Sequence, residues 1–328
     1  MKLATLKDGT RDGTLLVVSK DLKRALKADH VAPTLQAALD DWNYVSPLLS
    51  DLSNELELRQ ASRAFDLDFK QLMAPLPRAY QFADGSAYLI HAELIRRSRK
   101  QELPADAKRE PLMYQGCSDP LLGPCDDIAV ATEAHDIDLE MELGVITGDV
   151  PMGVDKDRAG EAIRLLVLLN DVSLRALVPA DLARGFGFFH SKPPSSFVPV
   201  AVTPDELGDA WQGGRLHLTL HSSWNGRKVG MCDAGPEMTF HFGQLIAHIC
   251  KTRNVRAGSI VGSGTVSNKD WSKGYSCIAE KRCIETIEDG APKTPFMQYG
   301  DSIRIEMKGR DGQSVFGAIE QKVVPPRK

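Results

Sequence analysis

The stretch Ile137-Asp138-Leu139-Glu140-Met141-Glu142-Leu143-Gly144-Val145 constrains this chain more than any other. Apolar and acidic residues alternate with period two, which predicts a β-strand with Leu139, Met141 and Leu143 on one face. Asp138, Glu140 and Glu142 then share the other. Residues two apart on a strand stand roughly 6.5–7 Å apart, close enough for their carboxylates to converge on one point. Two such charges about 4 Å apart repel by roughly 4 kcal/mol at an effective dielectric near 20. Water screens them on an exposed edge strand, the ordinary reading, or a cation sits between them.

Composition narrows the function classes. The 328 residues suffice for one large domain and a small one. A net charge of −4 offers no electrostatic case for nucleic acid or an anionic membrane. The longest apolar run, Leu165 to Leu169, is too short to span a bilayer. The Met1–Thr5 start lacks the apolar core of a signal peptide, so a cytoplasmic protein is expected. The six cysteines form no C-x-x-C pair and read as reduced thiols, which disfavours zinc.

Residues 1–75 read as a small N-terminal domain, with a hairpin before Leu15-Leu16-Val17-Val18 and helices over 20–29, over 34–42 and from Ser46-Pro47. Met73-Ala74-Pro75-Leu76-Pro77 marks a boundary, and residues 78–328 form the second domain. The run Arg96-Arg97-Ser98-Arg99-Lys100 reads as a solvated face or as a trap for an anionic substrate. Ile163 to Leu169 reads as a buried strand ending in Asn170-Asp171, where Asp171 either caps the next turn or needs a positive partner. His217 and His221 share a strand face roughly 13 Å apart and cannot share an ion. Glu237 to Lys251 predicts an amphipathic helix, and the chain ends in a hairpin about Arg310-Asp311-Gly312.

Asp84, Glu140, Glu142 and Asp171 are hard oxygen donors at strand ends or on one strand face. Such donors suit Mg²⁺, Ca²⁺ or Mn²⁺. Together with Asp84-x6-His91, Tyr114-x-Gly116, Asn170-Asp171-Val172-Ser173-x-Arg175, Ser191-Lys192, Gly264-Thr265-Val266-Ser267 and Glu280, these residues make the chain resemble the fumarylacetoacetate hydrolase family over about residues 78–325. The resemblance implies a strand-dominated α+β fold with a mixed β-roll core, a homodimer, and Asp84, Glu140, Glu142 and Asp171 as ligands of one divalent cation. It implies a reaction too. A β-diketone acid is polarised by the cation, His91 acts as general base with Glu280 behind it, and Arg175 and Lys192 stabilise the oxyanion. Tyr114, Thr265 and Lys100 match substrate-contacting positions. Three departures stand out. Ala176-Leu177-Val178 lacks the family glutamine, the Thr265-to-Glu280 spacing is one residue longer than in the animal enzymes, and Lys100 replaces an arginine and its bidentate fork.

The expected activity is hydrolysis of fumarylacetoacetate, a small dicarboxylate diketone, in tyrosine and phenylalanine breakdown. The alternatives are an acylpyruvate hydrolase or oxaloacetate decarboxylase on the same metal site. A non-catalytic, metal-stabilised scaffold is the reading from another class.

Overall fold

The computed structural model describes residues 1–327. Its frame is an eleven-stranded sheet. In spatial order ten strands run Phe65–Asp66, Arg24–Lys27, Thr14–Val18, Lys2–Leu6, Ala201–Val202, Ile163–Asn170, Met141–Thr147, Ile260–Gly262, Phe82–Gly85 and Met113–Gly116. A five-stranded sheet runs Arg227–Asp233, Thr219–Trp224, Ser302–Lys308, Ser314–Val324 and Ile128–Ala129. This is the strand-rich α+β architecture expected. The first four strands are N-terminal and continue the large sheet, joined where Lys2–Leu6 pairs antiparallel with Ala201–Val202.

The acidic strand occupies the middle of that sheet. Met141–Thr147 is buried along its whole length, between Ile163–Asn170 and Ile260–Gly262. The exposed-edge reading is therefore overturned: both faces and both edges are covered, and Met141, Leu143 and Val145 are wholly buried. Each such side chain contributes about 1.5–3 kcal/mol, which helps offset the several kcal/mol needed to desolvate a neighbouring carboxylate. The strand also breaks. Ile137–Asp138 pairs separately with Ser173–Leu174, so Glu140 sits at the junction.

Two further expectations are corrected in the N-terminal region. Residues 20–29 form no helix. Ser19 N–H donates to Arg24 O at 2.9 Å, Leu22 takes φ 60°, and Arg24–Lys27 returns as a strand against Thr14–Val18. Helical apolar spacing lost to a tight hairpin whose sheet partner was close in sequence. The predicted helix start at Ser46-Pro47 lies inside a longer helix, Trp42–Glu57, whose N-cap position is Asp41. The hairpins at Asn225-Gly226 and Arg310-Asp311-Gly312 form as read, Asn225 and Gly226 both taking positive φ. All six cysteines are free thiols. Among the described residues no helix is long and apolar enough to cross a membrane.

Candidate active site

Strand register gathers three carboxylates. Asp84, on Phe82–Gly85, lies opposite Gly262 in a parallel pair. The Gly262 strand pairs with Met141–Thr147, whose Glu142 lies opposite Leu169. Asp171 follows the end of that last strand. One oxygen each from Asp84, Glu142 and Asp171 falls within 4.8 Å of the others, and all three residues are buried. Glycine permits the approach. A Cβ on Gly262 would stand 2.2 Å from Asp84 Oδ1. Gly264, at φ 73°, donates its N–H to the same oxygen at 3.0 Å, and a Cβ there would strike Gly85 O at 2.1 Å.

Charge is poorly compensated in this trio. Burial, then the Asp171 carboxylate, pushes Asp84 up to about 7. Burial, then Asp84 and Asp171, holds Glu142 well above the usual carboxylate range. No nitrogen or hydroxyl donor reaches either Glu142 oxygen, although both are buried. Asp171 is better served: Ser195 Oγ donates to it at 2.7 Å, and Lys192 Nζ and Tyr114 OH each at 2.5 Å. Buried carboxylate oxygens without donors need another partner. An oxygen-only trio with two orphaned atoms fits a hard divalent cation and not a soft one.

Glu140 sits in a different environment. Its Oε1 accepts from Arg175 at 3.2 Å and from the Thr265 hydroxyl, and its Oε2 from Ser173 Oγ at 3.1 Å and from Lys192. Burial raises its pKa, but Lys192, Arg175 and His91 outweigh that and hold it well below the ordinary range. Burial likewise works against the Lys192 ammonium, and Asp171 and Glu140 reverse the effect and raise it.

A second chain of contacts leads to the histidine. Arg175 Nε donates to Asp138 Oδ2 at 2.8 Å, and Asp138 caps the helix Ile278–Asp289 by accepting from Ile278 N–H at 2.7 Å and Ala279 N–H at 2.9 Å. That helix carries Glu280, whose Oε1 lies 2.9 Å from His91 Nδ1. His91 stands in the first turn of the helix Leu89–Ser98, packed against the first.

These groups meet at a cavity of about 820 Å³. Asp84, His91, Tyr114, Glu140, Glu142, Arg175, Lys192 and Thr265 line it. Asp171 and Glu280 stand behind the lining, one on Lys192 and Tyr114, the other on His91. Lys100 is exposed at φ 56° just past its helix and outside the lining, where Arg96 and Arg99 supply the positive charge. A hollow of about 650 Å³ between the N-terminal strands and the Gly309–Val315 loop contains none of these residues.

Sequence reading missed several contributors. Asp138 was visible on the acidic face but carried no role without its helix. Ser173 stands inside the Asn170-Asp171-Val172-Ser173-x-Arg175 motif but carried no role of its own, and Ser195 had no signal beyond being polar near Ser191-Lys192. Phe188, edge-on to Tyr114 with ring centroids 5.1 Å apart, and Arg282, beyond Glu280 on the same helix, had none.

The chain matches the family model described as "Fumarylacetoacetate (FAA) hydrolase C-terminal" over residues 81–324, and "Fumarylacetoacetase N-terminal domain 2" over residues 1–78. It is 31% identical over 213 residues to a 2,4-didehydro-3-deoxy-L-rhamnonate hydrolase from Sphingomonas sp. (strain SKA58), covering 64% of this chain and 72% of that one. The fold is similar to that of fumarylacetoacetate hydrolase from psychrophilic Exiguobacterium antarcticum, with TM-score 0.66, 16% identity and coverage of 99% and 100%. It is similar also to maleylpyruvate hydrolase from Sphingobium sp. SYK-6, solved with manganese(II) and pyruvate, at TM-score 0.65, 16% identity and full coverage of both chains.

Proposed function

Since the chain belongs to the fumarylacetoacetate hydrolase family, we propose that it uses water to cleave a carbon–carbon bond in a 1,3-dicarbonyl acid. Family membership makes it a hydrolase or isomerase. One observation supports the hydrolytic reading: a single cavity is lined by Asp84 and Glu142 of the oxygen-only trio and by His91 of the His91–Glu280 pair, with Asp171 and Glu280 directly behind. Residues 78–328 carry the chemistry in this reading, residues 1–75 support it, and the protein is a cytoplasmic homodimer.

Asp84, Glu142 and Asp171 would hold a divalent cation, with Glu140 completing the acidic set from its network of donors. Bound there, Mg²⁺ or Mn²⁺ (or Ca²⁺, by the same donor chemistry) supplies Lewis-acid polarisation of the dicarbonyl. Glu280 accepts from Nδ1–H of His91, which leaves Nε2 as the basic atom. His91 takes a proton from water as the water oxygen adds to the carbonyl carbon. Arg175 and Lys192 stabilise the oxygen anion that results. When the carbon–carbon bond breaks, its electron pair leaves with the departing carbon, and His91 returns the proton.

Fumarylacetoacetate is the substrate expected from the resemblance. Acylpyruvates are the competing class, favoured by the identity to a hydrolase named for a 2,4-didehydro-3-deoxy acid and by apolar Val178 on the cavity wall, where the family glutamine is absent. The test is a panel of fumarylacetoacetate, acylpyruvates and oxaloacetate, assayed with Mg²⁺ or Mn²⁺ and again with chelator. Metal-dependent release of two fragments from a diketo acid is expected. Turnover of oxaloacetate alone would replace this reading with a decarboxylase.

A further inference from the structure

Beside the oxygen-only trio lies a cluster of a different chemical kind. His91, Cys277 and Glu280 each place one donor atom within 4.8 Å of the other two. Nitrogen, sulfur and oxygen are all represented, whereas Asp84, Glu142 and Asp171 offer oxygen alone. Cys277 and Glu280 are buried, and His91 lines the cavity, so an ion arriving there meets the imidazole first. The proposed hydrolysis uses the histidine and the glutamate but leaves the thiol without a role. No C-x-x-C spacing announces such a site, because its ligands come from two helices.

The backbone holds these donors in place. Cys277 is the N-cap of the helix Ile278–Asp289, and its Sγ accepts the Glu280 N–H at 3.4 Å. His91 comes from the helix packed alongside, its Nδ1 2.9 Å from Glu280 Oε1. Tetrahedral zinc takes sulfur at about 2.3 Å and nitrogen or oxygen at about 2.0–2.2 Å, which sets its ligand atoms roughly 3.3–3.7 Å apart. Shifts of roughly an ångström or less therefore close the site and leave the fourth position open. Burial, then Asp138 and Glu280, holds the Cys277 thiol well above its usual range. The carboxylates that oppose a lone thiolate favour a dication beside it, and coordination deprotonates a thiol outright. Arg175 opposes the cation, but Asp138 and Glu140 already hold its guanidinium.

We propose that His91, Cys277 and Glu280 form a second metal site, for borderline-soft ions of the zinc class, whose occupation silences the enzyme. Mg²⁺ prefers oxygen donors and is suited by the carboxylate trio, while Zn²⁺ also takes thiolate and imidazole. On binding, the thiol proton leaves to solvent and the ion takes Nδ1, which puts the imidazole proton on Nε2. Nε2 then has no lone pair to offer a water, and His91 is no longer a base. The silencing rests on the reading of His91 as general base. The metal site itself does not.

Cobalt(II) is the probe of the site, because a thiolate bound to it gives an intense charge-transfer absorption that oxygen ligands do not. The full-length protein, in excess Mg²⁺, is titrated with Co²⁺ for the band and with Zn²⁺ for loss of diketo-acid turnover. A band that saturates stoichiometrically is expected, and Cys277→Ser should abolish it while keeping an oxygen to accept the Glu280 N–H. The zinc concentration for half-inhibition should rise in that variant by at least the roughly 10- to 100-fold that even an outer partner of a metal is worth. Cys277→Ala repeats the measurement should the serine variant fail to fold. Cys283→Ser, which removes the thiol on the cavity wall, should leave both readings in place. Absence of the band, or its loss with Cys283 instead of Cys277, overturns the site. Equal zinc inhibition of the unmodified enzyme and Cys277→Ser moves the inhibition to the carboxylate trio and overturns the silencing. A band without loss of turnover upholds the metal site and sinks His91 as the base.

Discussion

Glu140 and Glu142 are two residues apart and both buried, yet they occupy opposite electrostatic worlds. Glu140 accepts from two cationic side chains and two hydroxyls, and its charge is held firmly on. Glu142 has no donor at all and faces two other carboxylates. The difference teaches that the E-x-E strand does two jobs. One glutamate organises Arg175, Lys192 and Thr265, and the other sits where burial and two carboxylates work against its ionisation. Burial is common to both. The identity of the neighbours decides the outcome.

The largest effect should come from neutralising each member of that pair in turn. If Glu142 is a direct ligand, as proposed, Glu142→Gln should weaken Mn²⁺ binding by more than about 100-fold and abolish turnover. In chelator, however, the same variant should be more stable by about 1–2 kcal/mol near neutral pH, since the amide is buried neutral without the proton uptake that the raised Glu142 carboxyl requires. Glu140→Gln should move stability the other way, by about 3 kcal/mol or more, because Lys192 and Arg175 lose their shared partner. Paired calorimetry and denaturation with chelator would check this. Equal stability changes of one sign in the two variants would erase the contrast.

His91→Ala should lower kcat by about 10²- to 10⁴-fold while leaving metal affinity in place, as measured by turnover and calorimetry. A joint loss of metal binding would make the histidine part of the cation site instead of a base. Asp138→Asn probes the organised half of the site through its scaffold. It should cost about 1–2 kcal/mol of stability by weakening the helix cap and the Arg175 contact. Its kcat should fall about tenfold, with KM moving less, since the carboxylate touches no substrate. Loss of stability with unchanged kcat would reduce Asp138 to a cap.

The mildest test lies on the outer helix. Burial alone would raise Glu285, but hydrogen bonds from Thr294 and Lys293 prevail and hold it down to about 2, below its ordinary 4.5. A depressed carboxyl contributes stability above the unfolded value that is lost as pH falls through the folded one. Between pH 4.5 and about 2, therefore, the protein should lose on the order of 1 kcal/mol that Glu285→Gln does not lose. Thermal melts across that acid range would show it. Parallel curves for the two proteins would remove Thr294 and Lys293 as the cause.

Several of the residues that meet at the cavity stand out in the sequence. Asp84 and Glu142 lie on strands and Asp171 just past the end of one, and His91 Nδ1 lies 2.9 Å from Glu280 Oε1 between two helices. Local pattern suffices where a residue's role follows from its own element and its spacing. It failed at residues 20–29, where a tight turn overrode helical spacing, and at the acidic strand, whose alternation looks the same at an edge as at a sheet's centre. Arg282 was beyond reach altogether, because its relevance depends on a helix packing beside His91.

By itself, then, the sequence determined strands such as Thr14–Val18 and Ile163–Asn170, that hard oxygen donors recur at strand ends, and which family the chain resembles. Periodicity and residue chemistry are local, and they survive without the fold. Tertiary structure alone decided which glutamate is paired and which is bare, and that Asp138 ties Arg175 to the helix of Glu280. Those are properties of distance and dielectric between residues far apart along the chain. Only packing sets them.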